Sequence, residues 1–228
     1  MSKARDLILK TIRETSCLKQ DVFSTTAEQF QLFKSALRGI IEDLEKDVTA
    51  NDQRVTFKYE DKGEYGAMIK FAGDVLIFQM HTNVFNFDKS HHLWKTGYLQ
   101  EDETRAYCGM INVYNFLADS FKYNRINDSG YLVARVFVNK EKHFFVEGKR
   151  QLGFLYNDFV NGVIDADTVT AIVESAILFA LDFDLLTPPY DAMKETSMGS
   201  LMEMQRELRI KTGKRLGFRF HADDDIVA

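Results

Sequence analysis

A chain of 228 residues, 45% hydrophobic and 28% charged, is long and apolar enough to bury a core, which excludes a disordered tail or a fibrous repeat. Its net charge of −5 speaks against a dedicated nucleic-acid binder. No run approaches the ~20 apolar residues a membrane span needs: the nearest, 171–186, is interrupted by Glu174, Asp182 and Asp184.

The cysteines, Cys17 and Cys108, show no CxxC spacing, and both read as small buried hydrophobes, reduced in a cytoplasmic protein. The first residues carry one short apolar run, Leu7-Ile8-Leu9, broken by Lys10, and lack the features of a secretory leader. Residues 4–17 suit a short first helix. A stronger helical pattern covers 26–48, where Phe30, Phe33, Leu37, Ile40, Ile41 and Leu44 recur on one face behind a Thr26 cap region.

The period then changes to two. Val55, Phe57 and Tyr59 alternate with polar residues, the Asp61-Lys62-Gly63 turn follows, and 65–71 and 75–87 read as two more antiparallel strands about Gly73-Asp74. Residues 88–102 read as a loop carrying Leu93, Trp94 and Tyr98. Tyr107, Ile111, Tyr114 and Ala118 predict a second helix over 102–119, with Glu101, Asp102 and Glu103 favoured at its start by the backbone dipole.

Strands are expected again at 121–126, 131–139 and 143–147, punctuated by Asn127-Asp128-Ser129-Gly130 and Asn139-Lys140-Glu141. A third long helix should span 165–186, capped by Asp165 or Asp167 and closed by Pro188-Pro189. These prolines divide a single domain, 1–189, from a C-terminal arm, 190–228, that packs in cis or on a partner. The arm reads as a helix over 190–210 and a short strand over 216–220.

The resulting order, α-βββ-α-ββ(β)-α with an added N-terminal helix and C-terminal arm, is an α+β chain: an antiparallel sheet with helices packed on one face. Within it, MINVYNFLADSFKYNRINDSGYLVARVFV and DADTVTAIVESAIL resemble a helix, a hairpin and the closing helix of the type III secretion chaperone-like fold, which YbjN-type proteins share. The resemblance spans about residues 26–186. It implies a non-enzymatic, dimeric protein that binds protein clients or acts as a regulator.

No catalytic, cofactor or metal motif stands out. His81, Asp88, His91, His92 and Trp94 form the richest polar constellation, but adjacent His91 and His92 do not converge easily on one ion. Gly148 to Gly153 lacks the GxxxxGK pattern of a phosphate loop and reads as a turn entering a helix. The arm carries the remaining candidates. Met193, Met198, Met202 and Met204 offer an adaptable apolar surface, and Arg206, Arg209, Lys214, Arg215 and Phe218 a basic one with aromatic interleaving.

The expectation is therefore a cytoplasmic protein-binding module, chaperone-like or an adaptor, whose partner is a protein client or a second copy in a homodimer. No membrane partner and no cofactor are expected. The alternatives are an enzyme with a site assembled around His81, His91 and His92, and a nucleic-acid-associated regulator using 206–219.

Overall fold

The structure, a computed structural model, describes residues 3–50, 52–182, 185–186, 197–199 and 218–219. The chain begins as one unbroken helical rod: α1 (Lys3–Thr11), a π-helical turn (Ile12–Ser16) and α2 (Cys17–Thr49). At 1.5 Å per residue the rod is roughly 70 Å long. The two N-terminal helices expected from the sequence are thus joined. The wider π turn shifts the helical phase, so Leu7, Ile8 and Ile12 do not line up with the stripe of α2 and remain 65%, 58% and 50% exposed. That stripe (Leu18, Val22, Phe30, Phe33, Leu37, Ile41) is buried against the sheet. Thr26, expected near a cap, lies inside the helix, where its hydroxyl donates to the Val22 carbonyl at 2.7 Å.

The sheet has the order β1 (Phe57–Asp61), β2 (Gly66–Phe71), β3 (Asp74–Met80), β5 (Tyr107–Leu117), β6 (Tyr131–Asn139) and β7 (Phe144–Gly148), every pair antiparallel. A two-residue strand, β4 (Phe85–Asn86), pairs with the start of β5. The helix α6 (Ala166–Leu181) lies beside α2 on one face. Its cap is Asp165, whose carboxylate accepts from the Thr168 amide at 2.8 Å. Alternate residues of every long strand (Ile69, Leu76, Phe78, Ile111, Val113, Val136 and Val146 among them) meet these helices in one core. Lys34 of α2 is 8% exposed and ties the rod to the β1–β2 turn, donating to Asp61 at 2.8 Å and the Gly63 carbonyl at 2.6 Å.

Both sheet edges are guarded. The amides of Phe144 and Val146 on β7 donate to the Gly162 and Tyr156 carbonyls of the segment that follows. On β1, Glu60 is flanked by Lys58 and Lys62, a charged edge that discourages pairing with another chain.

The largest correction concerns 102–119. Its expected helix is instead β5, the longest strand. Ile111 and Val113 point to the core under α2; Cys108, Met110, Asn112, Tyr114 and Phe116 point to the opposite face. A strand covered on both sides is nearly continuously apolar, so Tyr107, Ile111, Tyr114 and Ala118 also satisfy a helical period. The strand expected at 121–126 is absent: a single helical turn, α4 (Ala118–Lys122), and tight turns replace it. The expected strand 75–87 is broken between β3 and β4, and the loop 88–102 contains a 3-10 turn (His92–Lys95) and α3 (Gly97–Glu101). Gly148 and Lys149 lead into a short helix, α5 (Gln151–Leu155), as expected. Of the arm, β9 (Phe218–Arg219) pairs in parallel with β8 (Leu185–Leu186), within the stretch where a strand was expected.

Candidate functional site

The face of the sheet turned away from α2 and α6 is divided in two. Over its first half lies a flap, residues 81–106, which leaves β3 and returns as β5. Leu93, Leu99 and Ala106 from the flap are buried on Cys108, Phe137, Phe145 and Phe159, with Phe87, Trp94 and Tyr98 packed around them. A polar latch holds the returning end. Asn139, fully buried, donates to the Tyr98 hydroxyl at 2.9 Å and to the Arg105 carbonyl at 3.3 Å. Its carbonyl accepts from the amides of Glu141 and His143. The Tyr98 ring stacks on His143 at 4.5 Å, Arg105 lies over the same ring at 4.3 Å, and the hydroxyl donates to Glu141 at 2.8 Å. Burial pushes the Tyr98 phenol well above its ordinary range. The Tyr98 hydroxyl and both polar atoms of the Asn139 side chain are engaged, as suits a structural staple.

Asp102 belongs to the same latch. It caps a 3-10 turn (Glu103–Ala106) by accepting from the Thr104 amide, and it binds Lys140 at 2.8 Å. The hydrogen bond from Lys140, then that from Thr104, holds its carboxyl down at about 2. A depressed carboxyl stabilises the fold above its unfolded value near 3.8, and that stabilisation is lost as pH falls through about 2. Trp94, the single tryptophan, reports on the flap. Its fluorescence is expected to show an acid transition between about pH 4 and about pH 2 that Asp102→Asn removes.

The second half of this face is open. Ile77 of β3 and Phe116 of β5 form the floor of a groove, Phe121 of α4 and Ile126 form its walls, and Ser120, Asn124, Arg125 and Asp128 its rim, around a cavity of about 360 Å³. Ile126 is 84% exposed and Phe121 45%. The Phe121 ring sits edge-on to Phe116 at 5.7 Å. Three features fix the wall. Ser120 donates to Asp128 at 2.6 Å, and the Arg125 amide donates to the Ser120 carbonyl at 2.8 Å. Gly130 lies so close to Phe116 that a Cβ there would stand 2.2 Å from the ring. The groove is therefore held open by its own loop, with its apolar side chains facing out.

No family model, curated protein or solved structure matches this chain.

Of the sequence candidates, His81 packs edge-on to Phe85 at 4.9 Å, and its Nδ1 accepts from the Asn83 amide. His91 and His92 lie ring to ring at 4.4 Å, and His91 stacks on Phe87. Among the described residues no three His, Cys, Asp or Glu side chains come together to hold a metal ion. Cys108 lies in a strand and is fully buried, and burial alone raises its thiol pKa far above the ordinary value. Cys17, expected to be buried, is exposed on the rod. Among the described residues no helix is long and apolar enough to cross a membrane.

Met198 is described and 71% exposed. Met193, Met202, Met204, Arg206, Arg209, Lys214 and Arg215 lie outside the described residues, and of Phe218 only the backbone strand is described. A larger cavity of about 440 Å³ lies between α5 and α6, lined by Arg150, Leu152, Ser175, Leu178, Phe179 and Asp182. None of the groove residues stood out in the sequence. The available signal was Ile126, an apolar side chain set among the turn residues Arg125, Asn127, Asp128, Ser129 and Gly130.

Proposed function

We propose that this chain is a non-enzymatic protein-binding module, chaperone-like or an adaptor, and that its open groove receives an apolar side chain from an extended segment of a protein client. The observation that carries this reading is the exposure of Phe121 and Ile126 on a loop tied down by Ser120, Asp128 and Gly130. Apolar side chains held outward over an apolar floor gain free energy when covered, about 1.5–3 kcal/mol for one buried anchor residue. Losing such an anchor weakens binding by roughly 10- to 150-fold. The polar rim supplies hydrogen-bonding groups for the client backbone on either side of the anchor.

Panning random peptides on the parent chain, with counter-selection on the Phe121→Asp/Ile126→Asp variant, tests the reading. The expected result is enrichment of peptides with a single aromatic or branched aliphatic anchor, binding the variant at least about tenfold more weakly. Peptides that bind parent and variant alike, or no enrichment at all, would overturn it.

A further inference from the structure

We propose that His91 makes the leading half of the flap an acid-released cover, whose opening bares Cys108 and the Phe137–Phe145 floor. The two halves of the flap are held differently. The returning half has the latch of Tyr98, Arg105, Asn139 and Glu141. The leading half is held by rings: Phe87 lies edge-on to Phe137 at 5.3 Å and tilted on Phe145 at 5.5 Å, and His91 stacks on Phe87 at 4.9 Å. The Trp94 indole donates to the Phe87 carbonyl at 3.1 Å, which fixes the 3-10 turn (His92–Lys95) above these rings.

His91 starts that turn. Its Nδ1 accepts from the Leu93 amide at 3.4 Å, so the ring serves as a cap only while Nδ1 is unprotonated. Protonation converts that acceptor into a donor and leaves the Leu93 amide, on a residue 3% exposed, without its partner. The charged groups around the ring favour the neutral form on balance. On its own segment His91 faces His92 at 4.4 Å. The turn just before it carries Asp88, whose carboxylate accepts from the Ser90 amide, and Lys89, which is paired with Glu103 and lies over Trp94. From β7 it faces Glu147, itself bonded to Arg135 of β6 at 2.7 Å. Phe87 and Phe145, its other ring neighbours, carry no charge. Burial first, and His92 second, lower the His91 pKa below 6.5, against the weaker opposite pull of Glu147.

The sign follows. Above 6.5 the ring is neutral whether the flap is closed or open. Below it the open flap takes up a proton that the closed flap refuses, so closure weakens as pH falls. This window lies well above the 4-to-2 range of Asp102.

The two cysteines supply the test, because Cys108 is fully buried beneath the flap and Cys17 is exposed on the rod. Both are labelled in the full chain with a disulfide reagent active in mild acid, and the Cys108 rate is divided by the Cys17 rate. This ratio is expected to rise about fivefold between about pH 7.5 and about pH 5.5, and to stay flat in both His91→Phe, which keeps the stacked ring, and His91→Gln. A ratio independent of pH in the parent, or an equal rise in His91→Phe, would overturn the proposal. So would Cys108 labelling with the urea dependence of global unfolding, which would leave no separate flap opening.

Discussion

Gly109→Ala is expected to cost about 3 kcal/mol, lowering the melting temperature by roughly 6–12 °C for a chain of this size. Gly109 sits in β5 beneath the long rod, where a Cβ would stand 2.1 Å from the Thr26 hydroxyl and 2.7 Å from its Cβ and Cγ2. Thr26 is fully buried and cannot swing away, because its hydroxyl is held by the Val22 carbonyl and its helix is packed along the sheet. Relief must come from moving α2 off the central strand, which loosens the contacts of Phe30 and Phe33 with the core. Thr26→Gly removes the opposing atoms at a helix-propensity cost of only about 0.3 kcal/mol. In the double variant the losses should not add: Thr26→Gly recovers part of what Gly109→Ala costs, as denaturant titration of the four proteins will show. Simple additivity would mean the helix and strand do not meet at this point.

The second large effect falls on the latch. Asn139→Ala is expected to destabilise by about 3 kcal/mol, because one truncation strands several buried groups. The Tyr98 hydroxyl loses its donor, the Arg105 carbonyl loses the Asn139 amide, and the amides of Glu141 and His143 lose their acceptor. The side chain holds the β6–β7 turn and the flap together, so the loss should appear first in the flap. Trp94 fluorescence is expected to change at lower denaturant than the far-ultraviolet signal of the helices, whereas the two coincide in the parent. Coincident transitions in Asn139→Ala would show that the flap has no stability of its own to lose.

How much the sequence revealed depends on how many faces each element buries. The helices α2 and α6 each bury one stripe, and Phe30, Phe33, Leu37 and Ile41, or Val169, Ile172, Val173, Ala176 and Ile177, spell it at helical spacing. Strands β1, β2, β3, β6 and β7 were legible from turn residues such as Asp61-Lys62-Gly63, where Gly63 takes a positive φ of 86°. In β5 the opposite holds. Ile111 is buried under α2 and Cys108 under the flap, so period two is hidden by apolar residues on both faces.

The flap escaped for a different reason. Its stability comes from Tyr98, Arg105, Asn139 and Glu141, which lie up to 43 residues apart in the chain, and no local pattern announces such a network. The groove was hidden too, since Ile77, Phe116, Phe121 and Ile126 meet only once β3, β5 and α4 are in place. The histidine constellation was visible, but its geometry serves aromatic packing and capping rather than a shared ligand.

The most direct test of the groove as a client site is site-specific photo-crosslinking in native extract. A photoreactive phenylalanine analogue is placed at Phe121 or Ile126 in the full chain, and at Glu42, which is exposed on the rod beyond the opposite face of the sheet. The expected result is the same protein adduct from both groove positions, none from Glu42, and loss of the adduct on competition with a groove-binding peptide. Identical adducts from all three positions, or adducts that the peptide does not displace, would contradict a client site in the groove.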